Sequence, residues 1–371
     1  MSWRTRFKCT AGNFWLPGAL EYESGLLIVA TASIRRFATL EPLMRFLVTG
    51  TAGFIGMRLA ERLLTDGHHV VGLDAVTPHN DPALKRARLA QLARFPTFIN
   101  HETPIENAGA LTRQVAEADA EIVVHLAAQP GVRDSLEQPR RYVTSNIEGA
   151  FNLLEAVKSS PVRHLMMAST SSVYGSGPTP FRETDRADHP LSLYAATKKA
   201  TEDIAHSYSH QFGLPVTMMR FFTVYGPWGR PDMAMFTFTR AILAGEPIDV
   251  YNSAVARRDF TYVEDVVESI TRLTEKIPTL RGDSGASPIA PYRVINIASG
   301  APVALDDFIA AIEATVGRRA SRRELPAQPG EMARTEANVD LLRALTGFTP
   351  RTSLTSGVRA FVEWFRAYYG A

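Results

Sequence analysis
A chain of 371 residues with 45% hydrophobic and 21% charged side chains is long enough for one large core with a smaller attached lobe, and its make-up excludes collagen-like, coiled-coil and disordered classes. The formal net charge of +2, without a Lys/Arg-rich stripe carrying interleaved aromatics, shows no nucleic-acid footprint, although a few local arginines can still hold an anionic small molecule. The single cysteine, Cys9, excludes an internal disulfide and a thiolate metal cage, the nine histidines lack ligand spacing so that no metal is expected, and a reducing, cytoplasmic compartment fits.

Residues 1–43 carry no regular helical or strand period and precede Met44, which marks them as an upstream extension or a start assigned too early. Their one apolar run, Gly25 to Ala32, is well short of the roughly 20 residues a membrane helix needs. The basic start meets Gly, Asn, Pro and Glu before any apolar stretch, which fits a signal peptide poorly. No membrane association is expected.

From Arg45 onward, short β-rich runs alternate with helical patterns, the strand candidates being Phe46 to Thr49, Val70 to Leu73, Ile122 to Leu126, His164 to Ala168 and Val216 to Phe221. This rhythm predicts an α/β fold, a doubly wound parallel sheet with helices on both faces. Phe46 to Thr49 leads into Gly50-Thr51-Ala52-Gly53-Phe54-Ile55-Gly56, after which Ile55, Leu59 and Leu63 recur on one helical face. Gly50 permits a tight turn, Gly53 a close backbone approach to a pyrophosphate and Gly56 close packing of helix on strand, while helix N-terminal amides face the phosphates. Gly50, Gly53, Phe54, Ile55 and Gly56 are therefore expected cofactor contacts. Strand two ends at Asp74, whose carboxylate can accept both ribose hydroxyls and would repel a 2′-phosphate, so NAD is expected over NADP.

Further along, Ala168-Ser169-Thr170-Ser171-Ser172 offers hydroxyls at the carboxyl end of a strand, where α/β sheets bind ligands. Tyr194-Ala195-Ala196-Thr197-Lys198 then places a phenol and an ammonium on one helical face. Ionising a free tyrosine at pH 7 requires roughly 4 kcal/mol. One ammonium at about 4 Å, with an effective dielectric near 20, supplies about that much. The order of glycine loop, hydroxyl strand and Tyr/Lys pair makes Tyr194 the expected general base, with Lys198 lowering its pKa and Thr170 sharing a hydrogen bond with the reacting oxygen.

After about Tyr225 the rhythm breaks at YGPWGRPDM, and a smaller mixed α/β lobe is expected. Pro288 to Val294 and Arg322 to Glu331 read as its surface connections, and a helix from about Thr355 closes the fold. The resulting division is an extension at 1–43, a dinucleotide domain at 44–225 and a mainly substrate-binding lobe at 226–371.

With these residues in place, the chain from Met44 to about Tyr369 resembles the extended short-chain dehydrogenases that epimerise nucleotide sugars, a Rossmann-type family, and within them the UDP-glucuronate 4-epimerases. The stretches that carry the resemblance are VTGTAGFIG at 48–56, VVHLAAQPGVRDSLEQP at 123–139, SLYAATKKA at 192–200, RFFTVYGPWGRPDMA at 220–234 and RRDFTYVEDVV at 257–267. The resemblance implies bound NAD that removes the C4 hydride and returns it to the other face of a 4-keto sugar. It implies catalytic roles for Tyr194, Lys198 and Thr170, with Ser171 and Ser172 as supporting hydroxyls. Leu126, Ala127, Ala128, Asn146 and Thr223 would line the cofactor or sugar, and Arg258, Gln328 and Glu331 would hold the UDP. The helices at about 140–157 and 197–212 correspond to those the family uses for dimer contacts, which implies a homodimer.

Two loops depart from the family pattern: AVTPHND at 75–81 replaces Asn and paired tyrosines, and INHETPIEN replaces a stretch with an Asp for the adenine. Related dehydratases and decarboxylases place a carboxylate beside the catalytic hydroxyl, where this chain has Ser171 and Ser172, so renewed reduction of the keto sugar is expected rather than elimination. Thr223 and Arg230, with backbone donors near Thr170 to Ser172, are expected to hold a substrate carboxylate out of line with the carbonyl π system, and the guanidinium would favour a uronate. Arg133, in the PGVRDS loop, is a further candidate for a phosphate or uronate contact. His125 reads as a core histidine, and Asp259 as an ion-pair or turn residue. The rival readings are a 4-epimerase of neutral UDP-hexoses and a non-catalytic NAD-binding protein.

Overall fold
The computed structural model describes residues 43–251, 256–280, 285–327, 330 and 332–370. The five β-rich runs become β1 (Arg45–Thr49), β2 (His69–Asp74), β4 (Ile122–His125), β5 (His164–Thr170) and β6 (Val216–Phe221), and a further strand, β3 (Phe98–Glu102), follows β2. With the strand Tyr292–Ile297 they form a seven-stranded sheet in the order Tyr292–Ile297, β6, β5, β4, β1, β2, β3, parallel throughout. Strand order reverses between β1 and β4, so their carboxyl ends flank the crevice at which such sheets take a ligand.

Side chains alternate across the sheet, and each face therefore builds its own core. Phe46, Val48, Val124 and Met166 face the helix α1 (Phe54–Thr65) and the helix Val263–Leu273, through Leu59, Leu63, Val266 and Ile270. Leu47, Val123, Leu165 and Met167 face the other way, onto Leu153 and Leu154 of Gly149–Val157 and Ala205 of Leu193–Phe212. Burial on both faces explains the continuous apolar reading of β1 and β4.

Three segments differ from their sequence reading. β3 has no strand signature because FINHE is an edge strand, only partly buried and rich in polar side chains. The segment around Pro288 to Val294 is a surface connection only up to the strand Tyr292–Ile297, which pairs with β6; its buried Arg293 and Asn296 disguise a sheet strand as a polar loop. Within 322–331, Arg322–Leu325 is a strand paired with Ile248–Tyr251, its mostly exposed arginines and glutamate giving no apolar signal.

The later part of the chain gathers a third core. Helices Ala234–Ala244, Leu305–Val316 and Leu354–Tyr369 pack through Phe236, Phe308, Phe361 and Phe365, and the Phe260 and Phe308 rings stack at 4.0 Å. The C-terminal helix begins at Leu354, capped by Ser353, as the sequence predicts. Asp259 is a fully buried carboxylate accepting hydrogen bonds from the amides of Ser299, Gly300 and Ala337 and the Ser299 hydroxyl, which corrects its reading as an ion-pair residue: backbone donors replace the cation. Among the described residues no helix is long and apolar enough to cross a membrane.

Candidate active site
The turn after β1 is built for a closely approaching anion. Gly50 has φ +82°, and a Cβ there would lie 2.8 Å from the Ala127 amide nitrogen. A Cβ on Gly56 would lie 2.0 Å from the Gly50 carbonyl oxygen, so α1 rests directly on the turn. At the start of α1, after Gly53, no side chain caps the helix and no acidic residue stands in the first turn, which leaves its amides for an external anion. Phe54 turns its ring into the core and Ile55 is partly buried, so both face the turn with their backbones. Asp74, at the end of β2, accepts the amides of Ala52 (3.0 Å) and Val76 (2.8 Å), placing its carboxylate against the glycine turn. A bare cradle of amides with a carboxylate beside it fits the pyrophosphate and ribose of a dinucleotide.

At the reversal of strand order, Thr49 holds the facing loop. Its hydroxyl accepts the amides of Leu126 (3.2 Å) and Ala127 (3.1 Å) and donates to Nδ1 of His125 (2.8 Å). His125 is thus a satisfied core histidine, its pKa drawn down to about 3 by burial. This arrangement brings the backbone of Leu126 and Ala127, just before Ala128, alongside Gly50. Asn146 sits in a π-helical turn, Val143–Glu148, which aims its side chain inward. Its oxygen accepts the Gln129 amide (2.7 Å), and its nitrogen donates to the Gln129 carbonyl and the Thr197 hydroxyl, both at 3.0 Å. Asn146 therefore ties the loop after β4 to the helix that carries Tyr194.

That helix, Leu193–Phe212, starts at Ser192, whose hydroxyl accepts the Ala195 amide at 3.2 Å. The cap fixes Tyr194 in the first turn and Lys198 one turn later. Thr170 ends β5, its hydroxyl accepting the Ser172 amide and donating to the Ser172 hydroxyl, both at 3.2 Å, near the Tyr194 phenol. Burial raises the phenol above its usual range, while the Thr170 hydrogen bond and the Arg230 charge act in the opposite direction. Lys198 is 2% exposed and burial draws it down to about 8, although Glu202 opposes this. Lys198 follows Tyr194 by one turn of the same helix. Ser171 is buried beside Thr170, and Ser172 is partly exposed.

Thr223 and Arg230 meet at a small cavity of about 30 Å³ that also touches Phe54, Tyr225 and Met233. Arg230 donates from Nε and Nη2 to the two oxygens of Asp232, at 3.1 and 2.5 Å. Arg133 lies with its guanidinium 4.6 Å from the ring centre of Tyr251, against the lobe. Arg258 donates to the carbonyls of Arg257 and Ala333. Gln328 and Glu331 lie outside the described residues, as do Cys9 and the segment 1–42. In the loops that depart from the family pattern, Asp81 caps α2 (Pro82–Leu92) through the Leu84 amide, Lys85 donates to Thr77, and Asn100 accepts from Thr51 of the glycine turn at 2.7 Å.

Several residues of this site carry no sequence signal. Arg88 of α2 is 2% exposed and donates to the carbonyl of Ala52 (2.9 Å) in the glycine turn and to those of Trp228 (2.7 Å) and Gly229 (3.0 Å) just before Arg230. Its neighbours in sequence, KRARL, read as a solvated helix face. Beneath the hydroxyl strand, Glu202 accepts the Ser169 hydroxyl at 2.6 Å and a fork from Arg220 at 2.8 and 2.7 Å. The one legible hint is that Glu202 follows Lys198 by one helical turn. Thr49 reads only as a strand end.

Known proteins are similar to this chain in sequence and fold. A family model described as the NAD dependent epimerase/dehydratase family matches residues 46–297. A Rhizobium meliloti protein named probable UDP-glucuronate 4-epimerase is 50% identical over 334 residues, covering 88% of this chain and 98% of the relative. The solved structure of a Bacillus cereus UDP-glucuronic acid 4-epimerase with UDP-glucuronic acid and NAD superposes with a TM-score of 0.80 at 34% identity, over 88% of this chain and all (100%) of that one. A Thermotoga maritima UDP-glucose 4-epimerase solved with UDP-glucose gives 0.78 at 28% identity, over 88% and 100% of the two chains. With the family model spanning the glycine turn, the hydroxyl strand and the Tyr194 helix, this chain belongs to the NAD dependent epimerase/dehydratase family.

Proposed function
We propose that the chain interconverts UDP-glucuronate and UDP-galacturonate by inverting C4 of the sugar, with NAD as hydride carrier. The observation that carries this reading is that Tyr194 and buried Lys198 stand one turn apart on one helix, near Thr170 at the carboxyl end of β5, the same edge of the sheet as the glycine turn. The identity shared with a protein named probable UDP-glucuronate 4-epimerase, and the likeness to a structure holding UDP-glucuronic acid and NAD, support the choice of substrate.

The amides that open α1 hold the pyrophosphate, Asp74 the ribose hydroxyls, and Leu126, Ala127, Ala128 and Asn146 the wall on the β4 side. When bound, NAD supplies the acceptor for the C4 hydride and the donor that restores it. Tyr194 takes the O4 proton and gives it back, with Thr170 sharing its hydrogen bond and Lys198 balancing charge. Ser171 and Ser172 stand where an acid would drive elimination, so the 4-keto sugar is reduced again. Thr223 and Arg230 hold the carboxylate, while Arg133, Arg258, Gln328 and Glu331 serve the UDP. In this division residues 44–225 bind mainly the dinucleotide and 226–371 mainly the nucleotide sugar. The chain works in the cytoplasm as a homodimer through helices 139–157 and 193–212, on which Val143, Phe151 and Phe212 are exposed.

Incubation with UDP-glucuronate, followed by NMR of the sugar H4 coupling, tests the reading: a growing UDP-galacturonate signal is expected, and turnover of no UDP-sugar would leave only dinucleotide binding. Tyr194→Phe is expected to abolish turnover with NAD still bound, whereas an active variant would remove the base. Arg230→Ala is expected to erase the preference for uronate over neutral UDP-hexose, and a preserved preference would remove the carboxylate contact.

A further inference from the structure
Arg230 already holds a carboxylate. Its Nε and Nη2 donate in parallel to both oxygens of Asp232, the fork by which a guanidinium recognises any carboxylate, including that of a uronate. The two side chains keep 24% and 42% of their surface exposed and are two residues apart, so the pair contributes little to holding the fold together. Arg230 makes its charge felt at Tyr194 and Tyr142, and its Nη2 lies against the loop after β4, 3.8 Å from where a Cβ on Gly131 would stand. Pairing also makes the cluster neutral. An arriving uronate meets a guanidinium whose charge is balanced, and gains only the difference between its own fork and the one it displaces.

We infer that Asp232 is a specificity-determining residue, an internal carboxylate that competes with the substrate's carboxylate for Arg230 and so weakens binding of both uronate epimers. This rests on the reading of Arg230 as the uronate contact. Because UDP-glucuronate and UDP-galacturonate carry the same carboxylate, removing the competitor tightens both equally and leaves the equilibrium between them unchanged. UDP alone has nothing to gain.

The experiment is calorimetric titration of NAD-loaded protein, in a Tyr194→Phe background that cannot turn over, with UDP-glucuronate, UDP-galacturonate and UDP. Asp232→Asn is expected to lower the dissociation constants of both uronates by roughly two- to fivefold, the range a partly exposed ion pair supplies, with that of UDP unmoved. The gain is expected to vanish in an Arg230→Ala, Asp232→Asn double variant. Weaker or unchanged uronate binding in Asp232→Asn, with UDP binding intact, overturns the inference, and weaker binding makes Asp232 a support for Arg230. If Arg230→Ala alone leaves uronate binding unchanged, the carboxylate contact itself falls and the competition falls with it. Loss of Arg230 that weakens uronate binding, with no gain from Asp232→Asn, rejects only the competition. Asp232→Ala, which removes the acceptor without an amide in its place, gives the same reading should the Asn variant fold poorly.

Discussion
Lys198 is 2% exposed and its pKa is drawn down to about 8 by burial, against an ordinary value of 10.5. The unfolded chain therefore binds this proton more tightly than the folded one. Below pH 8 the fold bears the full cost of a buried ammonium, and it regains stability as pH rises from about 8 to 10.5. The penalty is on the order of 3 kcal/mol. Lys198→Met is expected to lack it, so the stability difference between variant and wild type should shrink between pH 7 and pH 10 in denaturant titrations. A difference that does not change with pH would mean that Lys198 reaches solvent or a counter-charge.

At the scale of elements, the turn after β1 is set by distances too short for side chains. A methyl on Gly56 would sit 2.0 Å from the Gly50 carbonyl oxygen and 2.7 Å from its carbon, both backbone atoms. Gly56→Ala is expected to cost about 1–3 kcal/mol and to push α1 off the turn. Melting curves with and without NAD would show the loss of the cofactor's stabilising increment, and an undiminished increment would mean that the first-turn amides do not hold the pyrophosphate. The π-helical turn at Val143–Glu148 and the Ser192 cap act likewise, one aiming Asn146 at Gln129 and the other placing Tyr194.

Across the whole molecule, Arg88 spans the distance that neither element covers alone. Its guanidinium joins the carbonyl of Ala52, in the glycine turn, to those of Trp228 and Gly229, which precede Arg230. Arg88→Met leaves three carbonyls without this donor and is expected to cost on the order of 3 kcal/mol. Hydrogen exchange should show residues 50–56 and 226–230 losing protection together, whereas loosening of only one segment would mean that the two are not coupled through Arg88.

The legible part of this protein is local. Gly50, Gly53 and Gly56 follow a strand and open a helix within a few residues, and Tyr194 and Lys198 are one turn apart, so backbone geometry alone sets their relation. That suffices for the parallel sheet, the glycine turn and the spacing of Tyr194 and Lys198 on one helix. Tertiary structure alone decides that an arginine in KRARL is buried between two turns, that Glu202 and Arg220 pair beneath Ser169, that YRVINI is a sheet strand, and that Arg230 faces a carboxylate of its own. The reason is physical: a buried charge looks in sequence like an exposed one, and only the partners that packing brings to it show what it does.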